Sequence, residues 1–549
     1  MLLLSIAVHA SAQASTEAGR AAGGRILLVL PFDNRTGQPS LEWIREASAE
    51  ILTSRLAAAG FSPMSRADRR YALDHLGLPQ GFHPSRATSL KLAETLDADS
   101  IIVGSYVTDG AGIVAEAQLV DVPHLRMSDA VTARGEMHSL IAVFDSLAWK
   151  LTRQLDPGFK ASEETFVAAD SGLRLDAFEQ YIRGITEPDQ TERLRHLNQS
   201  VALSPEFSPA WMALGREEYA GKQYEQAAAA FAKVGGNDDD ALEAGFYRGL
   251  SLFFSGGYPR AEEAFAGVAR VLPLAEVLNN EGVALARQNK DGIPLFRQAM
   301  AADPNEADYH FNLAVSLKRH GDDAEALTEL AQCLRLHPND SEAKAVQRTW
   351  TKPEKPTVAK PVSVKPGTAP AAPAAATPDE AAGTDEEADA KADPLERIER
   401  GFDATAFHQA ALMVDQMDAA RLAQLTPRER AQKLSDQAHE YLERGLLLEA
   451  ERHYQAALAA DPRLPAAHTG LAEVRERSGD AEAARKEAVS SLELMPSVDA
   501  YLVLVRLQIA ANHLYEAQRN LDAALQIDPQ NKPALELRKQ IEAKDGMKK

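Results

Sequence analysis

Between Pro304 and Pro338 the chain reads NEADYHFNLAVSLKRHGDDAEALTELAQCLRLHP, a 34-residue unit with a proline at each end. His310, Leu313, Ala314 and Leu317 recur at the spacing of one face of a 3.6-residue helix. Gly321-Asp322-Asp323 breaks that pattern. A second apolar face follows at Ala326, Leu327, Leu330, Cys333 and Leu334. Ala314 and Ala326 are small enough to let the two predicted helices approach closely. Pro338 cannot continue the second one, so the chain must turn there.

The unit recurs. Pro205, Pro273, Pro304, Pro338, Pro462, Pro496 and Pro529 each follow a short run such as Ala-Leu-Ser or Ala-Ala-Asp, and the interval from 462 to 496 is again 34. Trp211-Met212-Ala213-Leu214-Gly215 with Ala227 and Phe231 repeats the same small and aromatic positions. So do Gly249, Ala261, Phe265 and Pro273, then Gly282, Phe296, Ala299 and Pro304, and later Ala438, Tyr441, Ala450, Tyr454, Ala457 and Pro462. On these matches the chain resembles tetratricopeptide repeat (TPR) proteins. The resemblance implies stacked helical hairpins whose first helices line a concave face.

Composition sets the outer bounds. The chain has 549 residues, 45 % of them hydrophobic, and a formal charge of −21 that disfavours nonspecific binding to nucleic acid or anionic lipid. Cys333 is the single cysteine, which excludes an intrachain disulfide; it falls where a repeat packs a small residue. Leu2 to Val8 followed by Ala12-Gln13-Ala14 predicts a signal peptide over 1–14 and a periplasmic or secreted protein. No Lys or Arg precedes that apolar run, and no Cys follows it to accept a lipid. No stretch approaches the 18 apolar residues of a membrane span.

Strands alternating with helices predict an α/β domain with a mixed sheet over 25–157. Its strands fall at 25–34, 61–65, 100–107, 113–122 and about 130–137, and Ser40 is expected to cap the first long helix. Pro31-Phe32-Asp33-Asn34, then Leu41-Glu42-Trp43, then the strand from Asp99 to Gly104, resemble the amino-terminal domain of the TolB, CsgG and FlgO-like envelope family. Asp33, Asn34, Asp97, Asp99 and Asp109 stand at strand ends, where open-sheet sites form. None of the phosphate-cradling, zinc-hydrolase or serine-nucleophile motifs accompanies them, so Asp33-Asn34 reads as a turn.

The fold class is therefore α+β multidomain: an N-terminal α/β domain, then two all-α TPR solenoid arrays separated by a disordered linker. The first array covers 173–350 and opens with a degenerate unit at 173–206. The linker is the Pro/Ala-rich and then acidic stretch 351–394. The second array covers 395–545. There helices resume at Leu395; Phe402, Phe407, Ala411, Leu412, Val414 and Met417 predict a helical lead-in, and Lys532–Ala543 closes the array.

By the TPR resemblance, a partner groove in the first array comprises Met212, Arg216, Tyr219, Phe246, Leu250, Phe253, Phe254, Asn279, Val283, Phe311, Val315 and Arg319. With Lys318 beside Arg319, this is an apolar stripe with a basic edge, suited to an amphipathic helix or an apolar peptide tail. The alternative is that these side chains pack against the chain's own domains. Asn280 and Asn312 are present, but the basic residues that elsewhere complete a carboxylate clamp are not. The histidines show no metal spacing, and no catalytic residue, cofactor or metal is expected. These features predict a non-enzymatic scaffold of the bacterial cell envelope with protein or peptide partners. The alternative is a cytoplasmic regulatory subunit, with the α/β domain and repeats assembling a signalling complex.

Overall fold

Leu27 to Leu30, four apolar residues in a row, are buried alternately on two faces of one sheet, as expected of a strand covered on both sides. The computed structural model describes residues 26–79, 86–168, 172–235, 240–351, 394–402, 417 and 419–546. It divides into two units: Met1–Ala210 with Val414–Lys549, and Trp211–Met413. The expected signal peptide and residues 352–393 of the expected linker lie outside the described residues, as do Phe407, Ala411, Leu412 and Val414.

In the first unit the sheet contains β1 (Ile26–Val29), β2 (Asp33–Asn34), β3 (Ser62–Pro63), β4 (Ser100–Asp109), β5 (Gly112–Asp121), β6 (Arg126–Met127) and β7 (Val131–Glu136). Their order is β3-β1-β4-β5-β6, with β2 also on β4 and β7 also on β5. β1 pairs in parallel with β3 and β4, and β5 pairs antiparallel with β4 and β7, so the sheet is mixed. Helices α1 (Ile44–Ala58) and α4 (Leu140–Leu155) cover one face through Leu52, Leu56, Phe144 and Leu147. Helices α2 (Arg66–His75) and α3 (Arg86–Thr95) cover the other through Leu73 and Leu92.

Two sequence expectations need correction here. The predicted strand 25–34 is split into β1 and β2 around Pro31, which has no N–H for the ladder. Ser40 does not cap a helix: it lies in a single 3-10 turn, Pro39–Leu41, and α1 starts at Ile44 without a side-chain cap. The turn is held by Asn34, whose amide donates to the Gln38 carbonyl at 3.1 Å and to Glu42 at 2.9 Å.

The same unit contains a helical hairpin, α6 (Leu175–Thr186) and α7 (Gln190–Leu203), after the short α5 (Glu163–Ala168). Phe178 and Ile182 of α6 join the apolar cluster of the α/β domain. The second array runs through α17 (Pro427–Glu443), α18 (Leu447–Ala460), α19 (Pro465–Arg477), α20 (Ala481–Leu494), α21 (Val498–Ala510), α22 (Leu514–Ile527) and α23 (Lys532–Gly546). It is joined directly to the α/β domain. Leu448 of α18 is buried in the domain's cluster, and Arg452 donates to the Ala58 carbonyl at 2.7 Å. The Thr165 and Ser478 hydroxyls are 3.1 Å apart.

The second unit is built of helical hairpins. From Trp211 its helices are the rest of α8 (Ser208–Ala220), α9 (Tyr224–Phe231), α10 (Ala241–Phe254), α11 (Tyr258–Val271), α12 (Ala275–Ala286), α13 (Ile293–Ala302), α14 (Ala307–His320), α15 (Asp323–Leu336) and the terminal α16 (Ser341–Thr351). Within three hairpins a glycine of the first helix faces a phenylalanine ring of the second: Gly215 with Phe231, Gly249 with Phe265, Gly282 with Phe296. A methyl group on Gly249 would stand 2.6 Å from the Phe265 ring, so the periodic glycines are where the helices touch. Gly321, with φ of 91°, ends α14 in the left-handed conformation expected of the break after His320. Among the described residues no helix is long and apolar enough to cross a membrane.

Candidate functional site: a groove filled by the chain's own peptide

Helices α10, α12, α14 and α16 line one face of the second unit, and the chain's own residues 394–402, PLERIERGF, run along it without regular secondary structure. Two asparagines read the main chain of this segment. Asn312 accepts the Arg397 N–H at 2.6 Å and donates to the Arg397 carbonyl at 2.7 Å. Asn280 does the same for Glu399, with both bonds at 2.8 Å. Arg397 and Glu399 are two apart, the spacing at which an extended chain presents the same edge. Asn279 supports the pair, accepting from Asn312 at 2.8 Å and donating to the Arg397 carbonyl at 3.3 Å.

The side chains are read as well. Glu396 is only 2 % exposed; Arg287 meets its carboxylate at 2.8 Å, Arg319 at 2.7 Å and the Ser316 hydroxyl at 3.0 Å. Arg287 and Arg319 also donate to the carbonyls of Glu396 and Pro394. Arg397 points into the opposite charge: Asp308 at 2.6 Å, Asp340 at 2.7 Å and Glu342 at 2.8 Å. Its guanidinium lies 3.7 Å from the centre of the Phe311 ring. Burial alone would lower the Arg397 pKa, but the hydrogen bonds to Asp340 and Asp308 outweigh it and the guanidinium is held firmly charged. Asp340 shows the converse: burial pushes its carboxyl up, and the Arg397 hydrogen bonds bring it below its ordinary value. Further along, the Arg400 guanidinium lies over Phe254, and Ile398 and Phe402 pack on the cluster of Leu250, Phe253 and Val283. The Phe402 ring is 5.3 Å from that of Phe246.

Of the residues expected to line a groove, Phe246, Phe254, Asn279, Phe311 and Arg319 touch the segment. Leu250, Phe253 and Val283 belong to the buried cluster on which Ile398 and Phe402 pack, Val315 is buried in the cluster of Phe311 and Val346, and Met212 is packed among Ala227, Phe231 and Ala244. Arg216 pairs with Glu243 at 2.6 Å, and Tyr219 stacks edge-on against Tyr224 and Tyr247. The occupant differs from both expected kinds, an amphipathic helix and an apolar tail. Asn280 and Asn312 need free main-chain N–H and C=O groups, which a helix has already used. The expectation that helices resume at Leu395 is corrected for the same reason: residues 394–402 give their backbone groups to the groove. Arg287, Ser316, Asp308 and Asp340 are not among the residues that the sequence places in the groove, and Asn280, Asn312 and Glu342 figure there only at positions of an incomplete carboxylate clamp. A signal for the asparagines exists, since each stands at the sixth position of the first helix in consecutive units.

Residues 284–348 and 435–495 each match a family model described as tetratricopeptide repeat. The chain carries TPR repeats. TPR proteins are in general protein–protein interaction scaffolds. No curated protein matches the chain. Among solved structures, the C-terminal domain of LpoB from Escherichia coli is similar at 23 % identity, covering 21 % of this chain and 85 % of that one with a TM-score of 0.20. YrrB, a TPR protein with an unusual peptide-binding site, is similar at 15 % identity, covering 37 % and 99 % with a TM-score of 0.28. MamA from Desulfovibrio magneticus RS-1 is similar at 20 % identity, covering 31 % and 99 %, also at 0.28.

Elsewhere the polar groups considered for chemistry do structural work. Asn34 accepts from the Thr36 N–H at 3.0 Å in a side-chain turn, and Asp99 accepts the Ile26 N–H at 2.8 Å, opening β1. His310 bridges Glu329 and the Pro304 carbonyl, and His468 bridges Glu487 and the Pro462 carbonyl, tying each first helix to its own hairpin. Cys333 is buried, and burial together with Asp340 pushes its thiol up to about 12, away from reactivity. No group of three metal-ligating side chains occurs among the described residues.

Proposed function

We propose that this protein is a non-catalytic scaffold of the bacterial cell envelope whose TPR surfaces hold segments of other proteins. The observation that carries this reading is the pair of asparagine clamps, Asn312 on Arg397 and Asn280 on Glu399. Such amide pairing is suited to any peptide that can lie extended, because the main chain offers the same groups at every residue. The envelope part of the proposal rests on the apolar run Leu2–Val8 with Ala12-Gln13-Ala14, and on the TolB/CsgG/FlgO-like pattern from Pro31 to Gly104.

Crosslinking in the producing cell tests the scaffold. Wild type should form adducts with other proteins, and Asn280→Ala with Asn312→Ala should reduce them while the helical circular dichroism persists. A protein that forms no adduct at all in the cell would overturn the reading. Mass spectrometry of the native amino terminus tests export: a mature chain beginning at Ser15 supports it, and a retained Met1 opposes it and favours the cytoplasmic alternative.

A further inference from the structure

Glu396 and Arg397 are adjacent, opposite in charge, and each meets a cluster of the other sign. We propose that residues 394–402 are a displaceable plug, and that the ligand which replaces them is an extended peptide carrying the same neighbouring Glu-Arg pair with an aromatic residue five positions after the Arg. This rests on the scaffold reading and names the partner's chemistry for one groove.

Three observations carry it. First, permanent filling would be served as well by apolar side chains, since buried ion pairs are often replaced by them without loss of stability. Here the groove uses charge at two successive residues, which secures order of sequence: Glu then Arg fits, Arg then Glu would place like charges together. Second, the emptied groove would leave Arg287 beside Arg319, and Asp308 beside Asp340 and Glu342. Both clusters repel internally until something of the same pattern returns. Third, residues 352–393 connect Thr351 at the end of α16 to Pro394, so the plug is tethered to the array it occupies. Tethering raises the plug's effective concentration, so a free peptide of equal intrinsic affinity competes at a disadvantage of about 10²–10⁴-fold.

The test uses the full chain and a synthetic peptide of residues 392–404, ADPLERIERGFDA. In hydrogen exchange, the Arg397 and Glu399 amides of the protein should be protected by Asn312 and Asn280, and millimolar unlabelled peptide should speed their exchange at least tenfold. A dye-labelled copy should bind Glu396→Ala/Arg397→Ala protein at least tenfold more tightly than wild type, and a peptide with Arg and Glu exchanged should not. Amides that stay protected at every peptide concentration would overturn the plug and make the segment a fixed part of the array. So would equal binding of the exchanged peptide. If that happens while adducts still form in cells, the plug fails and the scaffold reading stands on other surfaces; if no adducts form either, both fall.

Discussion

Glu50 stands half-buried on α1, one turn from Glu46. Burial is the main influence and Glu46 adds to it; Arg69 and Arg66 pull the other way, and the net result lifts the carboxyl from 4.5 to about 7. A group that binds its proton more tightly in the fold than in the unfolded chain makes stability fall as pH rises, here between 4.5 and about 7. Glu50→Gln is therefore expected to raise the melting temperature by a few degrees at pH 8 and to leave it unchanged at pH 4, measured by thermal circular dichroism. An equal shift at both values would mean that packing, and not ionisation, controls the position. Single residues were also where the sequence was hardest to read. Asn280 and Asn312 were in plain view, but a side-chain amide declares its role only when the backbone it faces is known. Arg397 falls where the sequence predicts helices to resume, whereas its surroundings come from residues about 55 to 90 positions earlier.

At the scale of elements, periodicity carried the reading well. Proline-closed hairpins recur because each must bury one apolar face against its neighbour, which imposes a repeating pattern of small and aromatic residues. Gly249 against Phe265 is one such contact. Gly249→Ala should destabilise the protein by about 1–3 kcal/mol through overpacking, and adding Phe265→Leu should restore a good part of the loss in urea titrations. A second prediction concerns the histidine bridge of α19. The Glu487 hydrogen bond raises the His468 pKa against the opposing effect of burial, while Glu487 itself is lowered by His468. The histidine's contribution is thus full below its ordinary 6.5 and lost as pH climbs through the raised value. His468→Gln should remove a fall in melting temperature that wild type shows on going from pH 6 to pH 8; identical profiles would sink the idea. The segment 394–402 defeated periodicity because its conformation is decided by the groove, and irregular chain has no repeat to detect.

At the scale of the whole molecule, the chain leaves the first unit after Ala210, builds the second, and returns to the first at Val414. Each unit is closed by contacts between residues on opposite sides of 352–393: Leu448 and Arg452 with the α/β domain in one, the 394–402 segment with the array in the other. Cutting the chain at a protease site placed within 352–393 should therefore leave the two pieces together in gel filtration. Their separation into two species at micromolar concentration would show these contacts to be too weak to hold. The sequence predicts the second array without its contact to the α/β domain because hydrophobic patterning identifies a buried face without naming the surface that buries it.

The Thr165–Ser478 contact joins residues 313 positions apart. A ribosome adding about 5–20 residues per second needs roughly 15 to 60 s to bridge that gap. Until Leu448 has been made, the part of the α/β cluster that it covers has no second array to bury it. A chain that stops before α18 leaves that part of the cluster uncovered, so truncation there should make the first half prone to aggregate, measured by light scattering.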